Sequence, residues 1–165
     1  MEILKGYFPE QATNLESFHP IKTGELIKSG MLISTEVNDG VIEWVKGWQA
    51  GNGTPHFACN DYDDFSVEEA GVLKGISCSG SYRIYTPYFK AVPAVAYKAG
   101  SALVPDSTTG YVKSAAAFAA AAGEAVIGHS GPNVSGGALD LTSQLSGVDA
   151  ADVLEIDTCW SPQAS

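Results

Sequence analysis

Positive charge is what this chain has least of. Nine Lys and Arg stand against nineteen Asp and Glu in 165 residues, a formal net charge of -10. Affinity for a phosphate backbone rests on clustered Lys and Arg that displace counterions, so no nucleic acid is expected as a partner, and anionic lipid is a poor one. The shortage is uneven, because no Lys or Arg follows Lys113, whereas Glu124, Asp140, Asp149, Asp152, Glu155 and Asp157 do. An anionic face is therefore expected over the C-terminal third. No stretch reaches the roughly 18 apolar residues of a membrane span, and Met1 to Gly6 lacks the basic start and apolar run of a signal peptide. The expectation is a soluble chain made in the cytosol, with no membrane partner.

Cysteine is scarce as well. Cys59, Cys78 and Cys159 are odd in number and irregularly spaced, so they form neither an even disulfide framework nor a Cys-x-x-Cys motif, and buried free thiols are expected. His19, His56 and His129 lie far apart, outside any His-x-x-x-His spacing, and neither a metal nor a cofactor is expected. Asn60-Asp61-Tyr62-Asp63-Asp64 offers oxygen ligands, but without the sixth-position Gly and twelfth-position Glu of a calcium loop it reads as a solvated acidic turn. Gly75-Ile76-Ser77-Cys78-Ser79-Gly80 has Ser79 where a nucleophile elbow needs Gly. Gly128, Gly131, Gly136 and Gly137 do not make a phosphate cradle, and no cation stands near them. Catalytic residues are expected to be none.

What the chain has in quantity is punctuation. Eighteen Gly and eight Pro recur every ten residues or so, which suits many short strands better than long helices. The first 20 residues, with Tyr7, Phe8, Pro9, Phe18 and Pro20, lack periodicity and read as an extended arm ahead of one β-rich domain over 21–165. Ile21 to Ser34 holds two strand candidates broken by glycines. Val37-Asn38-Asp39-Gly40-Val41 carries a tight-hairpin signal, with a return strand over Ile42 to Trp48. Ser81 to Thr86 alternates, with Tyr82, Ile84 and Thr86 on one face and Arg83 and Tyr85 on the other. Val95 to Val104 reads as strand, turn, strand, Asp106 to Gly110 as a turn, and Ala125 to His129 and Val153 to Thr158 as strands. Only Ser114 to Ala122 has helix propensity, with Ser114 as its cap. The fold class expected is mainly β: a compact β-barrel or β-sandwich with an extended N-terminal arm and at most one short helix at about 114–122.

Trp44 and Trp48, four apart in the return strand, are expected on one face, as core residues, interface anchors or a stacking platform. With Tyr62 they leave open a carbohydrate- or receptor-binding module. A hydrolase would need carboxylates converging, for example Asp61 or Asp63 with Glu68.

The order of segments over roughly 74 to 158 resembles that of tailed-phage head decoration proteins. Lys74 to Thr86 is followed by Tyr97 to Leu103, then by Gly110-Tyr111-Val112-Lys113-Ser114-Ala115. Glu124-Ala125-Val126-Ile127-Gly128-His129 and Asp152-Val153-Leu154-Glu155-Ile156-Asp157 complete it. The N-terminal third, with its arm and Trp-containing hairpin, departs from that pattern. The resemblance implies a structural virion protein, often trimeric, that sits on the outer surface of an expanded capsid and bridges neighbouring major capsid subunits. It would be made in the host cytoplasm, and Ile3, Leu4, Tyr7 and Phe8 of the arm would dock on the major capsid protein, with Trp44 and Trp48 as further candidates for contact.

Overall fold

A computed structural model describes residues 14–17, 19–59, 62–63, 73–78, 82–90, 97–116, 118, 125–132, 134, 139–140 and 152–161. Thirteen strands run through them: β1 Asn14–Ser17, β2 Leu26–Ile27, β3 Leu32–Asn38, β4 Val41–Lys46, β5 His56–Ala58, β6 Tyr62–Asp63, β7 Leu73–Ser77, β8 Arg83–Thr86, β9 Ala102–Pro105, β10 Val112–Ser114, β11 Val126–Ser130, β12 Leu139–Asp140 and β13 Asp152–Ser161. The chain is mainly β, and there is no helix among the described residues. Ser114 closes β10, and its carbonyl accepts from the Phe118 N–H at 3.1 Å, the bond of a single helical turn. Residues 117 and 119–122 of the expected helix lie outside the described residues.

Two antiparallel sheets carry the architecture. The first has the order β1-β7-β5-β3-β4; the second runs β10-β9-β11-β13-β12, with β8 also paired to β13. The second sheet curls back on itself. Beyond β8, Val112 N–H donates to the Tyr88 carbonyl at 3.0 Å and Lys90 N–H to the Val112 carbonyl at 2.8 Å, so the stretch after β8 reaches β10 from the far side. Such closure satisfies edges that would otherwise stand open. A bulge between Val126 and Gly128 assists the bend, and Gly128 lies so close to the Asp157 carbonyl that a Cβ there would come within 2.6 Å of it. The first sheet curls too. Ser17 on β1 and Pro20, whose carbonyl accepts from Trp44 of β4, are only three residues apart, a reach of at most about 11 Å.

Two cores result. Between the sheets, Leu32, Trp48, Phe57 and Cys78 meet Ile84, Leu103, Val112, Ile127, Leu154 and Ile156. On the other face of the first sheet, Ile33, Trp44, Ala58 and Leu73 are covered by Ile21 and Ile27. Each buried Leu, Ile or Phe contributes about 1.5–3 kcal/mol relative to exposure. The expected alternation of Arg83 to Thr86 holds, with Ile84 and Thr86 buried and Arg83 and Tyr85 on the opposite face. Tyr62–Asp63, expected as part of an acidic turn, pairs by its backbone with Leu26–Ile27. The end of the expected arm, Asn14–Ser17, is an edge strand of the first sheet, whereas residues 1–13 lie outside the described ones.

Asp39 and Gly40 have φ of 48° and 81°, the two positive values of a two-residue type I′ turn, and Asn38 pairs with Val41 as that turn requires. The return strand is shorter than expected. It ends at Lys46, because Gly47 takes φ 79° and redirects the chain, so Trp44 enters one core and Trp48 the other. The Trp48 Nε1–H donates to the Gly53 carbonyl at 3.0 Å.

Gly47 also sets how the sheets meet. A Cβ there would lie 2.5 Å from the Asp106 carbonyl oxygen and 2.6 Å from Ser107 backbone atoms. Gly47→Ala is therefore expected to cost roughly 2–5 kcal/mol from backbone strain and overpacking together. Gly51→Ala, also at positive φ but with open space around it, should cost only about 1–2 kcal/mol. Chemical denaturation of both variants checks this, and equal losses would contradict the close-approach role.

Stability should also fall with acid in two steps. Burial pushes the His56 imidazole below its ordinary 6.5, against the opposing effect of its 2.8 Å bond from Nδ1 to the Thr54 carbonyl. Burial alone would raise Asp106, but hydrogen bonds from Lys90 and Thr109, with the charges of Lys90 and Lys113, outweigh it and hold the carboxyl below its ordinary 3.8. Both folded-state values are depressed, so each contribution is complete above the ordinary value and lost as pH falls through the folded one. Thermal melts should weaken below pH 6.5 and again below 3.8. His56→Asn should remove the first step; an unchanged slope between pH 7 and 5 would contradict the assignment.

Candidate functional site

Two surface regions concentrate unusual side chains. The first is the tip of the β3–β4 hairpin. Val37 is 72% exposed, Val41 49% and Ile42 42%, and these three with Leu26 are the exposed large hydrophobics among the described residues. The strand register explains their placement. Ile33 pairs with Lys46, Thr35 with Trp44 and Val37 with Ile42, so Val37 and Ile42 continue the face that carries Ile33 and Trp44 into the second core. The covering layer, Ile21 and β2, reaches Trp44 and stops short of them. Val41 and Ile42 are consecutive, so they point to opposite faces and leave the tip apolar on both sides.

The edge of β4 is open at the same place. Trp44 N–H donates to the Pro20 carbonyl at 2.8 Å, its carbonyl accepts from Lys22 N–H at 3.0 Å, and Lys46 N–H donates to Glu25 Oε2 at 3.4 Å. The outward-facing groups of an antiparallel edge strand recur every second residue, so those of Ile42 come next. No described residue pairs with them.

The second region is the face of β8, β13 and β11 opposite the main core. Cross-strand register lines up Arg83, Asp157 and His129 in one row and Tyr85 with Glu155 in the next. Arg83 donates to Asp157 from Nε at 2.7 Å and from Nη2 at 3.2 Å, an exposed bidentate pair worth at most about 1 kcal/mol. That bond raises the Arg83 guanidinium further. Glu155 is fully buried, and the absence of a side chain at Gly131 makes room for its carboxylate. Burial raises the Tyr85 phenol, as does its hydrogen bond with Glu155. Cys159 Sγ lies 3.3 Å from His129 Nδ1. Burial pushes this thiol up, so the pair holds a protonated sulfur at neutral pH, whereas nucleophilic use requires the thiolate.

Of the residues singled out from sequence, the two described ones, Trp44 and Trp48, are not brought together. Ile3, Leu4, Tyr7 and Phe8 lie outside the described residues. Trp44 and Trp48 are only 2% and 8% exposed, so both rings fill cores; their expected common face is lost at Gly47. The Trp44 ring meets the His56 imidazole edge-on, with centroids 5.8 Å apart. The three cysteines are thiols, of which only Cys78 is fully buried as expected; Cys59 and Cys159 are partly exposed. No group of three or more His, Cys, Asp or Glu arranged for a metal ion occurs among the described residues. The turn at Asp39-Gly40 is where it is expected, whereas its flanks, Val37, Val41 and Ile42, are not among the expected site residues. The signal was there, since adjacent Val41 and Ile42 in a strand cannot both face one core. Comparison with protein-family models, with curated proteins and with solved structures finds no match for this chain.

Proposed function

We propose that the chain acts by binding rather than by catalysis, as a structural virion protein that attaches to the outer surface of a phage capsid and bridges major capsid subunits. The observation that carries the binding role is the hairpin tip, where Val37, Val41 and Ile42 stand in solvent beside an open strand edge. Exposed apolar area next to unpaired backbone is costly to a free protein and useful to one that docks. The order of segments over 74–158, which resembles that of head decoration proteins, supports the capsid as the surface in question.

A clamp of this kind needs no reactive group. By binding the expanded lattice and not its precursor, it adds its association free energy to the stability of the expanded state. An oligomer, with a trimer the natural form at a threefold position, would engage several subunits at once and convert modest contacts into high occupancy. Ile3, Leu4, Tyr7 and Phe8 of the N-terminal segment would supply a second attachment by strand addition.

The purified chain should cosediment with expanded shells of its cognate major capsid protein and raise their disruption temperature. Failure to bind such shells would overturn the capsid role. Removing residues 1–10 should lower occupancy about tenfold at limiting concentration; unchanged occupancy would remove the arm from the interface.

A further inference from the structure

The hairpin tip has a charge pattern as well as an apolar surface. Four carboxylates, Glu25, Glu36, Asp39 and Glu43, lie along the hairpin and the segment from Lys22 to Glu25 that edges it, with two ammonium groups, Lys22 and Lys46. Lys22 bonds to Glu36 at 2.5 Å and lies in the field of Glu25 and Glu43 as well, which raises its pKa. Lys46 is 3.7 Å from Glu25. Glu43 is met by Asn38 Nδ2 at 3.3 Å, a neutral donor, and no cation pairs with Asp39 among the described contacts. Among these described side chains two positive charges against four negative leave a balance of minus two, the same sign as the whole chain.

Resting on the binding role proposed above, we infer that the tip is received by a different protein, on a surface that offers an apolar recess rimmed by Lys and Arg. Val37, Val41 and Ile42 enter the recess, the carboxylates of Asp39 and Glu43 meet the rim, and the backbone of Ile42 is free to bond to an extended segment beside it. A second copy of the chain is a poor occupant. It brings the same negative tip and a net charge of -10, and Lys22, Lys46, Arg83 and Lys90 are already held by its own carboxylates. Opposite charge around an apolar centre raises the association rate and fixes orientation, and that part of the affinity falls with salt.

The test measures binding to the expanded shells across a salt series for the full-length chain and its variants. Val37→Ser and Ile42→Ser change side chains outside both cores, so thermal melts should show the fold intact with only a small loss from the cross-strand pair. Each should weaken binding about tenfold or more at every salt concentration. The pair Asp39→Asn with Glu43→Gln keeps the turn, since Asn tolerates positive φ, and should weaken binding at low salt while flattening its salt dependence. Parent-level binding by both Ser variants, or an unaltered salt dependence in the charge variant, would overturn the inference and leave the capsid role standing. A parent chain that binds no shell would overturn both. Sedimentation of the free proteins covers the remaining occupant: an oligomer present in the parent and lost in Ile42→Ser would place a second copy on the tip and overturn the inference.

Discussion

Two backbones approach each other at Leu32 more closely than side chains would allow, and the relation between the two sheets depends on it. The Leu32 N–H donates to the Gly110 carbonyl, and its own carbonyl accepts from Gly47 N–H, both at 2.8 Å. Gly47 and Gly110 both have positive φ; a Cβ on Gly47 would press into the Asp106–Ser107 backbone, and one on Gly110 would crowd the Met31 side chain and the Leu32 carbonyl. The Asp106 to Gly110 turn is held in place by Lys90 and Thr109 on the Asp106 carboxylate, so the hairpin sheet abuts a fixed part of the curled sheet. Sheets brought together here can share Leu32, Phe57 and Trp48 with Ile84, Leu103 and Ile156 as one core.

The same junction explains the exposed tip. Gly47 ends β4 early and turns Trp48 inward, which leaves the rest of the hairpin projecting from the junction. Ile21 and Ile27 cover Ile33 and Trp44, and Lys22 and Glu25 close the β4 edge beside them. That cover ends before Val37 and Ile42. The proposed docking surface is thus the uncovered end of a core face, extended past the layer that seals the remainder.

Local chemistry made much of this legible in the sequence. Asp39-Gly40 specified the turn because few residues accept two positive φ values. Alternation from Arg83 to Thr86 named the buried face correctly, and the Val- and Leu-rich closing segment became the long central strand β13. What depends on distant pairing was not legible. Nothing local to Tyr88 to Lys90 announces a meeting with β10, and nothing in the spacing of Trp44 and Trp48 reveals that the chain reverses at Gly47. Glu155 reads as surface charge by composition, yet it is buried beneath Gly131 with Tyr85 as partner. The apolar tip is written in Val41-Ile42, since consecutive strand residues face opposite sides, but its exposure depends on where the covering layer ends, which no local signal sets.

Amide hydrogen exchange, compared between the free chain and the chain bound to expanded capsid shells, tests the central claim most directly. Slowed exchange at Ile42 and across Val37 to Gly40, with the two cores unchanged, is expected if the tip is the docking surface. Protection confined to other strands, with the tip exchanging as fast as in the free chain, would contradict it.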